Sequence, residues 1–253
     1  MTIATSDSGG GAGIQADLKA FAAAGCHGMS ALVALTAQNT TAVADVFELP
    51  PEFVVAQLDA VFSDIGVDAA KTGMLFSRTL IESVADYLAE HRVPLVVDPV
   101  MVASSGARLL QDDAVASYVE RLFPLATLVT PNLHEAEVLA GVAAPPDELA
   151  RRIHDLGAAA VVVTGGHGEL PGDTFYDGRE LVTIETERHT VAATHGSGCT
   201  HSATLAAHLA RGESVLDAAR AAARAASGAV AHGLAELGAG EGPVDVLHVK
   251  GAR

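Results

Sequence analysis

Two hydrophobic rhythms alternate along this chain. Short unbroken apolar runs at 30–36 (SALVALT), 94–98 (PLVVD), 126–130 (ATLVT) and 159–164 (AAVVVT) are bounded by turn residues. Runs of this kind are strands covered on both faces, as in a parallel sheet. Residues 2–5 and the start of 69–74 read as further strands. Between the runs, apolar residues recur every three to four positions. Ile14, Leu18 and Phe21 share one helical face, and Gly25 stops that helix. Pro50 and Pro51 open a second helix carrying Phe53, Leu58, Val61 and Phe62. Residues 78–91, 112–122, 135–140, 147–156, 200–210 and 215–237 continue the helical pattern. Strand–helix alternation predicts an α/β fold, with a central, mostly parallel sheet and helices on both faces. One segment, 172–191, breaks the alternation: Asp177-Gly178 separates Thr174-Phe175-Tyr176 from Leu181-Val182-Thr183-Ile184. That is a hairpin signature, so a small antiparallel edge is expected there. The tail 238–253 reads as Gly-rich, then short and extended.

A length of 253 residues suits one large domain spanning 1–253. The formal net charge of −16 argues against nucleic acid or an anionic membrane surface as partner. No apolar run suits a membrane span. Cys26 and Cys199 are the two cysteines and stand far apart, which points to a reducing cytoplasm. His189, His195 and His201 are six apart, a spacing that fits neither helix neighbours nor a strand pair, so zinc is not expected. Lysine occurs only at Lys19, Lys71 and Lys250. A phosphate site would therefore lean on backbone N–H groups and a divalent cation.

Three segments carry candidate chemistry. His195-Gly196-Ser197-Gly198-Cys199-Thr200 is a Gly-rich loop opening into a helix. The first turn of a helix leaves free N–H groups and a partial positive charge, an anion hole for a transferring phosphate. Cys199 would sit inside it, where a helix N-terminus lowers a thiol pKa; the plain alternative is an inert cysteine beside a turn. Asn132 and Glu135 stand three apart after Thr130-Pro131. They could hold water around Mg²⁺, but Asn at the cap and Glu three on is also a capping box, which the local pattern favours. Asp98 ends a buried strand, where α/β sites lie, or is a turn residue. The loop from Ser8 to Gly13 lacks both the dinucleotide fingerprint and the Gly-Lys-Ser/Thr of a P-loop. Asp17 after it reads as a carboxylate favoured by the helix dipole, and Gln38 and Asn39 as turn residues.

Taken together, in order, these segments resemble the ribokinase-like superfamily, and within it the hydroxymethylpyrimidine and phosphomethylpyrimidine kinases of thiamine synthesis. The resemblance runs through 6–19 (SDSGGGAGIQADLK), 34–40 (ALTAQNT), 71–75 (KTGML), 97–103 (VDPVMVA), 130–132 (TPN), 165–167 (GGH) and 195–200 (HGSGCT). It implies a ribokinase-like fold, ATP as phosphoryl donor, Mg²⁺, a pyrimidine acceptor and a homodimer. It implies a pyrimidine pocket at Asp17, Gln38, Met74 and Val100, with the Gln38 carboxamide on the ring edge. Asn132 and Glu135 would serve Mg²⁺ through water, with Asp98, Asn132, Thr164, Gly165 and Thr200 around the ATP phosphates. Gly196, Ser197, Gly198 and Cys199 would form the catalytic anion hole, Cys199 taking the proton of the primary hydroxyl. Thr5 stands where the family usually has Gly, Thr164 where it commonly has Lys, and Ser197 where it has Thr. A pyridoxal kinase on the same scaffold and a non-catalytic pyrimidine sensor are the alternatives.

Overall fold

The computed structural model describes residues 1–101, 114–165, 172–187, 189–191 and 193–249. Its first half comprises β1 (Thr2–Asp7), α1 (Gly13–Ala23), β2 (Ser30–Gln38), β3 (Val43–Glu48), α2 (Pro51–Asp64), β4 (Ala70–Thr72), α3 (Arg78–Glu90) and β5 (Leu95–Val97). Then come α4 (Ala114–Ser117), β6 (Leu128–Val129), α5 (Leu133–Ala140), α6 (Pro146–Asp155) and β7 (Val161–Val163). β8 (Asp173–Tyr176), β9 (Leu181–Ile184), α7 (Ser197–Ala210) and α8 (Val215–Ala231) complete the described order. The strands form one nine-stranded sheet, ordered β3-β2-β1-β4-β5-β6-β7-β8-β9. From β2 through β7 every neighbouring pair is parallel.

The continuous apolar runs are explained by two cores. Val97, Val129, Val161 and Val163 point to one face and pack with α2 to α6. Their chain neighbours Val96, Leu128 and Val162 point to the other, against α1, α7 and α8. Each strand is thus apolar on both sides. β1 lies between β2 and β4, so strand order reverses there. The crevice beyond the carboxyl ends of strands at such a reversal is where α/β proteins bind ligands.

The expected hairpin is present as β8–β9: β8 pairs antiparallel with β7, and β9 antiparallel with β8. β3 is an addition to the expected elements. It pairs antiparallel with β2 at the opposite edge. Its residues are half-buried or exposed and include Asp45 and Glu48, so no apolar run announces it. Other boundaries shift. β1 and β2 run on to Asp7 and Gln38, and α7 begins at Ser197 rather than 200. α8 ends at Ala231 rather than 237, because the Leu234 N–H turns away to the Pro243 carbonyl. Of the helix expected at 112–122, residues 112 and 113 lie outside the described residues. The rest is α4, then a wide π turn at Tyr118–Leu122. Gly13, at φ +55°, starts α1 with its Cβ position 2.3 Å from the Thr5 carbonyl oxygen. Gly13→Ala is expected to lower stability in urea unfolding by at least about 1–3 kcal/mol, the range for a non-glycine residue forced into that backbone region; an unchanged midpoint would show that this corner yields.

Candidate functional site

Two Gly-rich loops meet at the strand reversal. The first follows β1, and its backbone N–H groups converge on a side chain of its own. Asp7 accepts from Gly9 (2.8 Å), Gly11 (3.0 Å) and Ala12 (2.8 Å), and lies 3.2 Å from His195 Nε2. Burial alone would raise the Asp7 pKa, but these bonds, that from His195 foremost, hold it below the usual carboxylate value. This loop is therefore satisfied internally. The second loop leads into α7. Gly196 caps the helix at φ +82°, and a Cβ there would lie 1.9 Å from the Gly11 carbonyl oxygen, so only glycine fits between the loops. Ser197 N–H goes to Thr194 O and Thr200 N–H to Gly196 O, while those of Gly198 and Cys199 have no backbone acceptor among the described residues. The α7 start is thus the loop that keeps N–H groups for an anion.

Beneath Cys199 lies a buried charge cluster. Lys71, in the middle of β4, is fully buried, with its ammonium 2.9 and 3.0 Å from the two Asp17 oxygens and 3.9 Å from Asp98 Oδ2. Thr2 Oγ1 donates to Asp17 Oδ2 at 2.6 Å. Burial alone would discharge the lysine, but Asp17, Cys199 and Asp98 hold its pKa above the usual range. Two expectations are corrected here. Asp17 is not a first-turn dipole carboxylate: it lies past the first turn of α1, fully buried, with its oxygens on Lys71 and Thr2. The Cys199 thiol is not acidified. Desolvation pushes it up to about 12, Asp17 and Asp98 add to this, and Lys71 opposes it. The helix start is outweighed by the loss of water and by two nearby carboxylates. Lys71 itself escaped sequence reasoning, although a lone charge inside the apolar 69–72 run was a visible signal.

Asp98, at the end of β5, accepts from Ser202 Oγ at 2.7 Å, which ties α7 to the strand. The capping box is real: Glu135 N–H donates to Asn132 Oδ1 (2.9 Å) and Glu135 Oε2 accepts the Asn132 N–H (3.0 Å). Glu135 Oε1 also takes the Met101 N–H at 3.3 Å. Thr164 bridges alongside Asn132, and its N–H donates to Pro131 O at 2.9 Å. Val102, Ala103, Gly166 and His167 lie outside the described residues. Thr5 Oγ1 donates toward Met74, 3.1 Å from its carbonyl oxygen and 2.8 Å from its sulfur. Val100 follows β5, half-buried. Gln38 lines a cleft of about 300 Å³ with Thr40, His195, Gly240 and Glu241.

A divalent cation fits this carboxylate pair in one respect. Burial, then the Asp98 charge, pushes Glu135 from 4.5 up to about 8, against the pull of the Asn132 and Met101 N–H groups. Two carboxyl groups that repel each other at a crevice are suited to a cation. The described residues contain no group of three or more metal-ligating side chains, so a cation would be held partly by water and by substrate oxygens, as Mg²⁺ commonly is. A carboxyl with a raised folded pKa stabilises the fold fully below 4.5, and that contribution is lost as pH rises to about 8. At pH 7 Mg²⁺-nucleotide binding is expected to release a proton from Glu135. Calorimetry in buffers of different ionisation enthalpy measures this; the release should vanish above about pH 9 and in Glu135→Gln. Heats independent of buffer would contradict the pairing of Glu135 with a cation.

The family model for phosphomethylpyrimidine kinase matches residues 7–245. Hydroxymethylpyrimidine/phosphomethylpyrimidine kinase of Rhizobium meliloti is 48% identical over 98% of this chain and 96% of that protein. Among solved structures, the ADP complex of Bacillus subtilis pyridoxal kinase is 39% identical, with a TM-score of 0.88 over 96% of this chain and 95% of that one. Staphylococcus aureus pyridoxal kinase in complex with pyridoxal is 35% identical, with a TM-score of 0.87 over 97% and 91%. The ribokinase-like α/β architecture expected from the sequence is the one observed. With its Gly-rich helix start at the strand reversal, backed by Lys71 and Asp98, this chain belongs to the phosphomethylpyrimidine kinase family.

Proposed function

We propose that this chain is a kinase of thiamine biosynthesis that phosphorylates 4-amino-5-hydroxymethyl-2-methylpyrimidine and then its monophosphate, with ATP as donor. The observation that carries this reading is the α7 start. The Gly198 and Cys199 N–H groups stand where strand order reverses, with Gly196 locked against Gly11. The family and the 48% identity to a kinase of that name support the choice of acceptor.

Phosphoryl transfer passes through a loose transition state, so positioning and charge stabilisation dominate. The N–H groups of Gly198 and Cys199 would hold the γ-phosphoryl oxygens, with Thr164, Gly165 and Thr200 nearby and the Gln38 carboxamide on the pyrimidine edge. Mg²⁺, held at Asp98, Asn132 and Glu135 through water, would supply neutralisation of phosphate charge. Because the Cys199 thiol sits at about 12, it is protonated at neutral pH. It would place the acceptor hydroxyl, whose proton passes late to an oxygen of the transferred phosphoryl group, rather than ionise it beforehand. In the second step the acceptor is already a phosphate and needs no deprotonation.

The reading extends to one kinase domain across the chain, a cytoplasmic location and a homodimer. No helix among the described residues is long and apolar enough to cross a membrane. Exposed Leu35 and Phe47, paired across β2 and β3, offer an apolar surface for a second copy. The pyridoxal kinases among the structural relatives keep vitamin B6 salvage as the second reading.

ADP release with Mg·ATP and either the pyrimidine or pyridoxal, with products identified by mass, decides between them. Mono- and then diphosphorylated pyrimidine is the expected outcome; turnover of pyridoxal alone would overturn the acceptor. Cys199→Ala should slow the first phosphorylation by about 10²-fold, the scale for a misplaced reacting group, and the second much less. The wild-type first step should show no thiolate inflexion between about pH 6 and 9. An inflexion near 7 that disappears in the variant would mean an ionised Cys199 after all.

A further inference from the structure

One buried pair of side chains remains outside the site described above. Asp173 opens β8, and His201 lies in the α7 turn that follows Cys199 and Thr200. Asp173 Oδ2 is 3.1 Å from His201 Nε2, and Asp173 Oδ1 accepts the Gly165 N–H at 3.0 Å. Both side chains are almost wholly buried, at 8% and 5% exposure. One carboxylate therefore joins the first turns of α7 to the backbone just past β7. The kinase reading places these two segments around the ATP phosphates, and a role for the pair in nucleotide binding rests on that reading.

We propose that Asp173 and His201 form a brace that sets the spacing between the α7 N–H groups and the Thr164–Gly165 backbone, so that His201 is a positioning residue for the nucleotide. The rest of α7 shows why a histidine here needs a reason. Its sheet-facing residues Ala203, Leu205 and Ala206 pack into the core. His201 Nδ1, by contrast, is buried with no hydrogen-bond partner among the described residues, as is Thr204 Oγ1 one turn along. An orphaned buried polar atom is unfavourable, and an apolar pair of the same volume would avoid it. What the histidine adds is a bond at Nε2, at the reach needed to meet a carboxylate on the next element. With a carboxylate as partner, Nε2 carries the proton and donates, leaving Nδ1 as an acceptor. The same Asp173 orients the Gly165 N–H from the other side, and Thr164 N–H is fixed to Pro131 O. Loss of the His201 bond would leave α7 folded, since its capping and its Ser202–Asp98 contact are independent.

The test uses His201→Gln, whose amide nitrogen reaches about where Nε2 lies, and His201→Phe, which keeps the volume and removes the donor. ADP release is measured with Mg·ATP and pyrimidine varied in turn, beside thermal unfolding with and without ADP. His201→Phe should raise KM for ATP about tenfold, the scale of one charge-assisted hydrogen bond, with KM for the pyrimidine within about twofold and the ADP-induced rise in Tm reduced. His201→Gln should restore most of both. Equal behaviour of the Gln and Phe variants, or parallel changes in both KM values that follow the loss of Tm, would reduce the brace to ordinary packing and overturn the proposal. If His201→Phe does not fold, Asp173→Asn, which keeps an acceptor for Gly165 but removes the charge, must raise KM for ATP without moving that for the pyrimidine. Should the wild type turn over neither acceptor, the kinase reading fails, and ADP-induced stabilisation still judges the brace: it must be weaker in His201→Phe than in His201→Gln.

Discussion

Everything at this site stands on a lysine ammonium buried in the sheet. Lys71 has no water to solvate it, so it must keep Asp17 and Asp98 within reach. Those two carboxylates come from α1 and the end of β5, and Asp98 is in turn held by Ser202 of α7. A single positive charge thereby fixes the mutual positions of β4, β5, α1 and α7. The two Gly-rich loops follow from that arrangement. They lead into α1 and α7, and those helices can approach closely enough for Gly196 to touch Gly11 only because neither position carries a side chain.

A chain with 31 acidic and 15 basic residues faces a difficulty in binding nucleotide phosphates. The structure meets it by directing carboxylates at its own backbone. Asp7 takes three N–H groups of the first loop, Glu135 takes those of Met101 and Asn132, and Asp173 takes that of Gly165. Each acid is occupied in shaping a loop, and the α7 N–H groups are left for a ligand. Glu135, raised to about 8, contributes little negative charge at neutral pH until a cation arrives.

Much of the architecture was legible in the sequence, for a physical reason. Strands buried on both faces have to be apolar throughout, and a hairpin turn such as Asp177-Gly178 has its own signature. β3 was not legible, because an edge strand with Asp45 and Glu48 among its residues has no such pattern. At the site, the position of Cys199 in the first turn of a helix could be read locally, but its ionisation could not. That depends on Asp17, Asp98 and Lys71, which are brought together from separate segments. For the same reason the function of Asp17 was not legible: its partner is 54 positions away. The Asn132–Glu135 capping box was legible because it is local. The Asp173–His201 pair was not, because nothing in either segment points to the other.

The central claim is that the Lys71 cluster acts as one unit, and a double-mutant cycle in urea tests it most directly. Lys71→Met alone leaves buried carboxylates unpaired and should lose about 3–5 kcal/mol of stability. Lys71→Met with Asp17→Leu removes both partners and should be more stable than the Lys71→Met protein, even though it carries an additional core substitution. If instead the double variant loses the sum of the two single effects, Lys71 and Asp17 are independent, and the site does not depend on their pairing.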